Sequence, residues 1–334
     1  MRRANRQLGP IGLDLDAGVI RAVQVSRTTG GFRVVAQARI ERTDPTAPID
    51  ATELARIAAA LDRQGFAGRS VVIAADQSRV RRLMLDLPPA GASVDALLFA
   101  REEFASAHNL APGSFELASW ELPAPDAGVP RRQALAAGLL HDDADAPAIA
   151  LAQAGLSVRA IDLRCWALAR AFNLDCEPKG VTIGLDFGWN DATLLAHHRG
   201  EIVYERAFEI AGIGALADTA TDRLGVDRHL AIHALRSSAR GAAETPISGM
   251  LAPIVEHALE SLATDLRTAL AFLDHRYDFP QPVRLVVTGD SPASPDQIAD
   301  RLGLEDAIIV DPAGADRFEH DIACAVGLSL WEAA

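Results

Sequence analysis

Asp14 and Asp186 are the residues best placed to do chemistry. Each closes an apolar run, Ile11-Gly12-Leu13-Asp14 and Ile183-Gly184-Leu185-Asp186, with the same Ile-Gly-Leu-Asp lead-in half a chain apart. Each is followed by a short turn, Asp16-Ala17-Gly18 in the first copy and Gly188-Trp189-Asn190 in the second, before an alternating run resumes. The pattern predicts two strand–turn–strand hairpins with an acid at the tip of each first strand. Backbone N–H groups in such turns can cradle a phosphate, and the acids can hold a divalent cation through water. Two copies predict two similar domains that close on one nucleotide from opposite sides, with Asp14 and Asp186 as the metal-facing pair.

The totals are compatible with this. A chain of 334 residues is long enough for two domains that each bury a core. It is 49% hydrophobic and 23% charged, values of a globular protein rather than a disordered one. A net charge of −13 argues against general nucleic-acid binding and against attraction to anionic lipid. Cys165, Cys176 and Cys324 have neither metal spacing nor a disulfide framework, so free thiols in a reducing compartment are expected. The basic start, Met1 to Gln7, reads as a disordered tail rather than a signal peptide, and no apolar run is long enough to span a membrane. The expected location is the cytoplasm, with any membrane link made through a partner.

The elements that must position the hairpins follow in order. Phe32 to Ile40 predicts a third strand after Gly30-Gly31, Ala51 to Arg63 a helix with Leu54, Ile57, Ala58 and Leu61 inward, and Ser70 to Ala75 and Val80 to Leu87 two further strands. Pro88-Pro89 ends this unit. A small α/β insertion is expected over 88–156, opening with a helix from Ser93 to His108 that turns Val94, Leu97, Leu98 and Phe104 inward. Phe99 and Phe104 are expected in its core. The first lobe therefore reads as 1–87 plus 157–178, and the second as 179–334 with a helical part at about 215–275. In the second lobe, Gly212-Ile213-Gly214 predicts a helix N-terminus facing the cleft, suited to an anion. Leu251, Ile254, Leu259, Leu262, Leu266, Leu270 and Leu273 mark one long amphipathic helix from Pro246. His197-His198, beside the turn at Arg199-Gly200, is expected to be exposed rather than a metal pair, because no third ligand is near.

This order of elements resembles the superfamily of actin, Hsp70 and the sugar kinases, and within it the PilM family of type IV pilus assembly. The likeness is carried by an ordered set of weak motifs. Gly12 to Val25 resembles the first phosphate hairpin, and Leu85-Asp86-Leu87-Pro88-Pro89 with Glu102-Glu103-Phe104 the start of the inserted subdomain. Ala154-Gly155-Leu156 with Ile161-Asp162 resembles its exit, and Asp186 to Leu195 the second phosphate hairpin. Leu224-Gly225-Val226 resembles the helix junction after that hairpin, Val287-Thr288-Gly289 the adenosine motif, and Ala325-Val326-Gly327-Leu328 the closing helix.

The resemblance implies an actin-like ATPase fold: two RNase H-like α/β domains with an inserted small α/β subdomain in the first. It implies a scaffold that holds the cytoplasmic N-terminal tail of a PilN-like inner-membrane protein for pilus or related secretion machinery. The tail is expected to dock on the first domain and its insertion, including the Ser93–Leu110 helix. The chain reaches Ala334 without the transmembrane helix of the secretion-system relatives, which points to the free-standing type. The resemblance also implies ATP and Mg²⁺ in the cleft, held by Asp14, Asp16, Ala17, Gly18, Arg21, Asp186, Gly188, Trp189, Asn190, Gly212, Gly214, Gly289 and Asp290.

Several of these positions depart from the family pattern. Asp16 and Ala17 stand where glycine and a hydroxyl residue are usual, Arg21 where a lysine is usual, Trp189 where small residues are common, and Asp290 where a second glycine is usual. A carboxylate about 4 Å from a phosphate costs on the order of 4 kcal/mol at an effective dielectric near 20. Two readings stay open: a nucleotide retained with Mg²⁺, or a cleft that no longer takes one. No residue is identified that would position water for phosphoryl transfer. A small-molecule kinase or phosphatase of the same superfamily is the alternative function.

Overall fold

The computed structural model describes residues 8–28, 31–89, 91, 94–124, 132–172, 181–209, 212–239, 245–277, 283–304, 307–310 and 320–331. The basic start, Gly30, Ser93, most of the Pro123–Pro130 loop and Cys176 lie outside them.

Both hairpins form, and each opens a five-stranded sheet. Leu8–Leu15 (β1) and Val19–Thr28 (β2) pair antiparallel, with Asp14 opposite Arg21, and Gly31–Glu41 (β3) continues the meander. Ala51–Arg63 (α1) follows, its first turn capped by the Asp50 carboxylate, which accepts from the Glu53 N–H. Leu54, Ile57, Ala58 and Leu61 are its buried face, as the periodicity predicts. Ser70–Ala74 (β4) then runs parallel to β1.

The insertion consists of Arg81–Asp86 (β5), Ala96–His108 (α2), Phe115–Glu121 (β6), Gln133–Leu140 (β7) and His141–Gln153 (α3). Its three strands form a separate sheet in the order β5-β7-β6. The strand at 81–86, expected to finish the first unit, thus belongs to the inserted sheet, pairing with β7 from Arg81↔Gly138 to Asp86↔Gln133. Alternation reveals a strand but not its partner, which is why the boundary at 88 falls too late.

A second correction concerns α2. Asp95 caps it through the Leu97 and Leu98 N–H groups, and its buried residues are Ala100, Phe104 and Ala105. Val94, Leu97 and Leu98, expected inward, are 52%, 54% and 62% exposed. The packed part of α2 lies further along: the Phe104 ring covers Gly138 of β7 so closely that a β-carbon there would meet the ring at 2.4 Å. Leu97, two turns before Phe104, shares its stripe, so it is exposed because the first turn of α2 is left uncovered and not because the helix is rotated. Phe99 is half-buried.

Ser157–Asp162 (β8) re-enters beside β4 and completes the order β3-β2-β1-β4-β8. Arg164–Phe172 (α4) leads on. The second lobe repeats the scheme with Val181–Phe187 (β9), Asp191–His198 (β10) and Glu201–Glu209 (β11) as its meander. Ile213–Leu224 (α5), Arg228–Ala239 (α6) and the 32-residue Pro246–Tyr277 (α7) form the helical part. Arg284–Gly289 (β12), Pro295–Leu302 (α8), Ile308–Ile309 (β13) and Ala323–Ser329 (α9) finish the chain. The sheet order is β11-β10-β9-β12-β13, the same order strand for strand as in the first lobe. Every residue of β9 is buried, as a central strand covered on both faces requires.

The two sheets meet on α4 and α9. Val23 and Val72 from one sheet and Leu195 and Val286 from the other share a core with Leu168, Val326 and Leu328. Gly327 permits the crossing, since a β-carbon there would lie 1.7 Å from the Ala167 carbonyl oxygen.

His197 and His198 correct the exposed-turn expectation. Both are buried in β10, and His198 lies against Tyr277 with ring centroids 5.4 Å apart. Only the turn at Arg199-Gly200, with φ of 54° and 89°, faces solvent. No group of residues with metal-binding geometry occurs among the described residues. Cys165 and Cys324 are free and buried. No helix among the described residues is long and apolar enough to cross a membrane.

Candidate functional site

The two acid-tipped hairpins face each other, and one arginine joins them. Arg164, the first residue of α4, donates from Nη1 to Asp14 Oδ1 at 2.8 Å and from Nε to Asp186 Oδ2 at 2.8 Å. Its Nη2 lies 2.6 Å from the same Asp186 oxygen. Thr288 donates to the other oxygen, Asp186 Oδ1, at 2.8 Å. Both carboxylates are buried. Burial opposes the charge on Arg164, but Asp14 and Asp186 outweigh it and hold its pKa well above the ordinary value. Burial raises the Asp14 carboxyl, with Arg164 and then Arg21 pulling the other way. Asp14 Oδ2 accepts no hydrogen bond among the described residues and has the Arg21 charge at 3.8 Å.

A second cluster surrounds Asp290, directly after β12. Arg21 from β2 donates to its Oδ2 at 2.9 Å, Arg236 from α6 donates to the same oxygen at 3.0 Å, and Arg39 from β3 reaches Oδ1 at 3.3 Å. Burial works against the Asp290 charge, yet Arg21, Arg39 and Arg236 together lower its pKa. Arg21 itself is 1% exposed and also holds Asp16 Oδ2 at 3.1 Å. Arg39 pairs further with Asp321, and Arg236 with Glu41 at 3.2 Å. A third tie runs from the insertion to the second lobe: Arg82 of β5 makes two 2.7 Å bonds to Glu205 of β11, and Trp120 Nε1 donates to the Ile202 carbonyl at 2.9 Å.

Trp189 lies between the hairpin tips. A β-carbon on Gly18 would be 1.9 Å from its ring, and one on Gly214 would be 2.3 Å from its Nε1. Its carbonyl accepts from the Gly214 N–H at 2.8 Å, so Trp189 takes one of the first N–H groups of α5. The Arg228 guanidinium sits 5.3 Å from the centre of the indole.

A magnesium nucleotide would need free turn N–H groups, a cation position between the two aspartates and room for phosphates. The Ala17 and Trp189 N–H groups donate to Asp16 Oδ1, at 2.6 and 3.3 Å. The Gly188 N–H donates to the Asp191 carbonyl. Arg164 takes the cation position and Trp189 the space over Gly18. Gly289, at φ 79°, turns the chain so that Asp290 meets three arginines where the resemblance implies adenosine. In this arrangement the residues present do not fit the group.

The residues expected at the site are thus brought together, Asn190 being the exposed member. Arg164, Arg39, Arg236, Asp321 and Asp191 were not anticipated. Arg164 and Arg236 sit inside helical patterns, where a lone arginine gives no signal of the lobe it faces.

Beside the closed tips a cleft of about 1110 Å³ remains. Asp14, Asp16, Asp191 and Asp218 are among its polar lining residues. Leu54, Ile73 and Ile161 of the first lobe and Leu139, Ala146 and Pro147 of the insertion line it as well.

Among solved structures, the chain is similar to the PilM-PilN type IV pilus biogenesis complex, with a TM-score of 0.75 and 20% identity over 98% of this chain and 99% of that one. It is also similar to the ethanolamine utilization protein EutJ from Carboxydothermus hydrogenoformans, with a TM-score of 0.55 and 14% identity over 97% and 89% of the two chains. No protein-family model and no curated protein matches the sequence. The fold is that of the actin-like ATPases, as the ordered motifs imply.

Proposed function

We propose that this chain is a scaffold of type IV pilus or related secretion assembly that captures the cytoplasmic tail of a PilN-like inner-membrane protein. It works on the cytoplasmic side and meets the membrane through that partner. The reading rests on the groove between the first lobe and its insertion, in a chain whose fold matches a chain of a PilM-PilN type IV pilus biogenesis complex over 98% of its length. The groove is apolar along Leu54, Ile73, Leu139, Pro147 and Ile161, with Arg42, Asp76 and Asp143 also lining it. Such a channel suits an extended peptide that buries alternate apolar side chains and leaves its polar ones at the rim. The role is capture rather than catalysis.

The test is calorimetric titration of the full chain with synthetic N-terminal segments of the membrane-anchored proteins encoded beside it. Ala146→Trp places a large side chain in the groove from an exposed position on α3. It should weaken capture at least tenfold, or about 1.4 kcal/mol, without lowering the melting temperature. Unchanged affinity in that variant, or no binding by the parent chain to any neighbouring tail, would overturn the proposal.

A further inference from the structure

We infer that the two lobes are locked shut by their own arginines, with Arg164 as the built-in counter-cation of Asp14 and Asp186 and Trp189 filling the phosphate space, so that closure needs no magnesium nucleotide. Three observations carry this independently of any partner. The Arg164 guanidinium bonds a carboxylate from each lobe at 2.8 Å. The ring of Trp189, from the second lobe, lies on Gly18 of the first with no space for even a β-carbon. Asp290, at the end of a second-lobe strand, is held by Arg21 and Arg39 from the first lobe and Arg236 from the second. A guanidinium delivers a fixed positive charge in a planar fork matched to carboxylates. A hydrated Mg²⁺ instead keeps several waters and prefers phosphate oxygens alongside protein carboxylates. The acids that would hold a cation in an open cleft are therefore neutralised from within, and the same bonds tie the lobes together.

The inference makes a latent cation site out of an occupied one. Removing the guanidinium leaves Asp14 and Asp186 facing each other without their counter-charge, two carboxylates that a hydrated divalent ion can bridge. The experiment is thermal unfolding of the full chain and of Arg164→Ser, each in EDTA, with Mg²⁺ or Mn²⁺ alone, and with Mg-ATP.

The parent chain should melt at the same temperature with millimolar Mg-ATP as with magnesium alone. Arg164→Ser should melt about 4–7 °C lower in EDTA, as expected for breaking a buried pair in a chain of this size. Its melting temperature should then rise as Mg²⁺ or Mn²⁺ is added, and Arg164→Ser/Asp186→Asn should lose that response. A saturable rise of the parent chain with Mg-ATP, or a folded Arg164→Ser indifferent to divalent ions, would overturn the inference. Should Arg164→Ser not fold, Arg164→Lys takes its place: its retained ammonium should keep divalent ions without effect, and a metal-dependent rise would count against the inference. The outcome is separable from that of the tail titration, which needs neither metal nor nucleotide.

Discussion

Replacing Asp290 by alanine should be among the most damaging single changes to the interface between the lobes. The substitution leaves Arg21, which is 1% exposed, with Asp16 at 3.1 Å and Asp14 at 3.8 Å, and removes an acid that Arg236 and Arg39 share. Breaking a buried ion pair by removing one partner costs about 3–5 kcal/mol. At ~2.1 cal/mol/K per residue, a chain of 334 residues has an unfolding entropy of ~0.7 kcal/mol/K. The melting temperature should therefore fall by about 4–7 °C at neutral pH. The pH dependence gives a second, sharper readout. Burial raises the Asp290 pKa, but Arg21, Arg39 and Arg236 more than reverse this and leave it below the ordinary value. A carboxyl depressed in the folded state stabilises fully above its unfolded value of ~3.9, and that stability is lost as the pH falls through the folded value. The gap between the parent chain and Asp290→Asn, followed by circular dichroism melts, should be widest near neutrality and narrow as the pH drops below ~4. A gap of constant size down that range, or no gap at pH 7, would refute the reasoning.

Gly18→Ala should cost about 1–3 kcal/mol in urea unfolding because its β-carbon meets the Trp189 ring. Combining it with Trp189→Ala should cost less than the sum of the two single changes. Leu97→Ser with Leu98→Ser, on the exposed turn of α2, should leave stability within about 0.5 kcal/mol, since neither side chain is in the insertion's core. We expect the pair to weaken co-purification with the proposed PilN-like partner. Unaltered co-purification would confine docking to the groove.

The acid-tipped hairpins, the long α7 and the buried face of α1 are legible because each is local: a period, a cap or a turn residue announces it. What sequence does not reveal is the partner across space. Residues 81–86 read as a strand whether they pair in the main sheet or the inserted one, and only β7, some fifty positions on, decides it. Leu97 and Leu98 read as core because they are apolar on a helix, but the first turn of α2 is left uncovered while Phe104, further along, packs over Gly138. His197 and His198 read as turn residues, yet they belong to a strand covered on both faces. The unusual residues at the cleft, Asp16, Trp189 and Asp290, are visible in the sequence as departures. Their joint meaning depends on Arg164, Arg39 and Arg236, which reach the cleft from three different elements.

The most direct test of the account is one titration: the neighbouring membrane protein's cytoplasmic tail into the full chain, first in EDTA without nucleotide and then with Mg-ATP. A self-locked actin-like scaffold should capture the tail with the same affinity in both. Capture that appears only when Mg-ATP is present would contradict it.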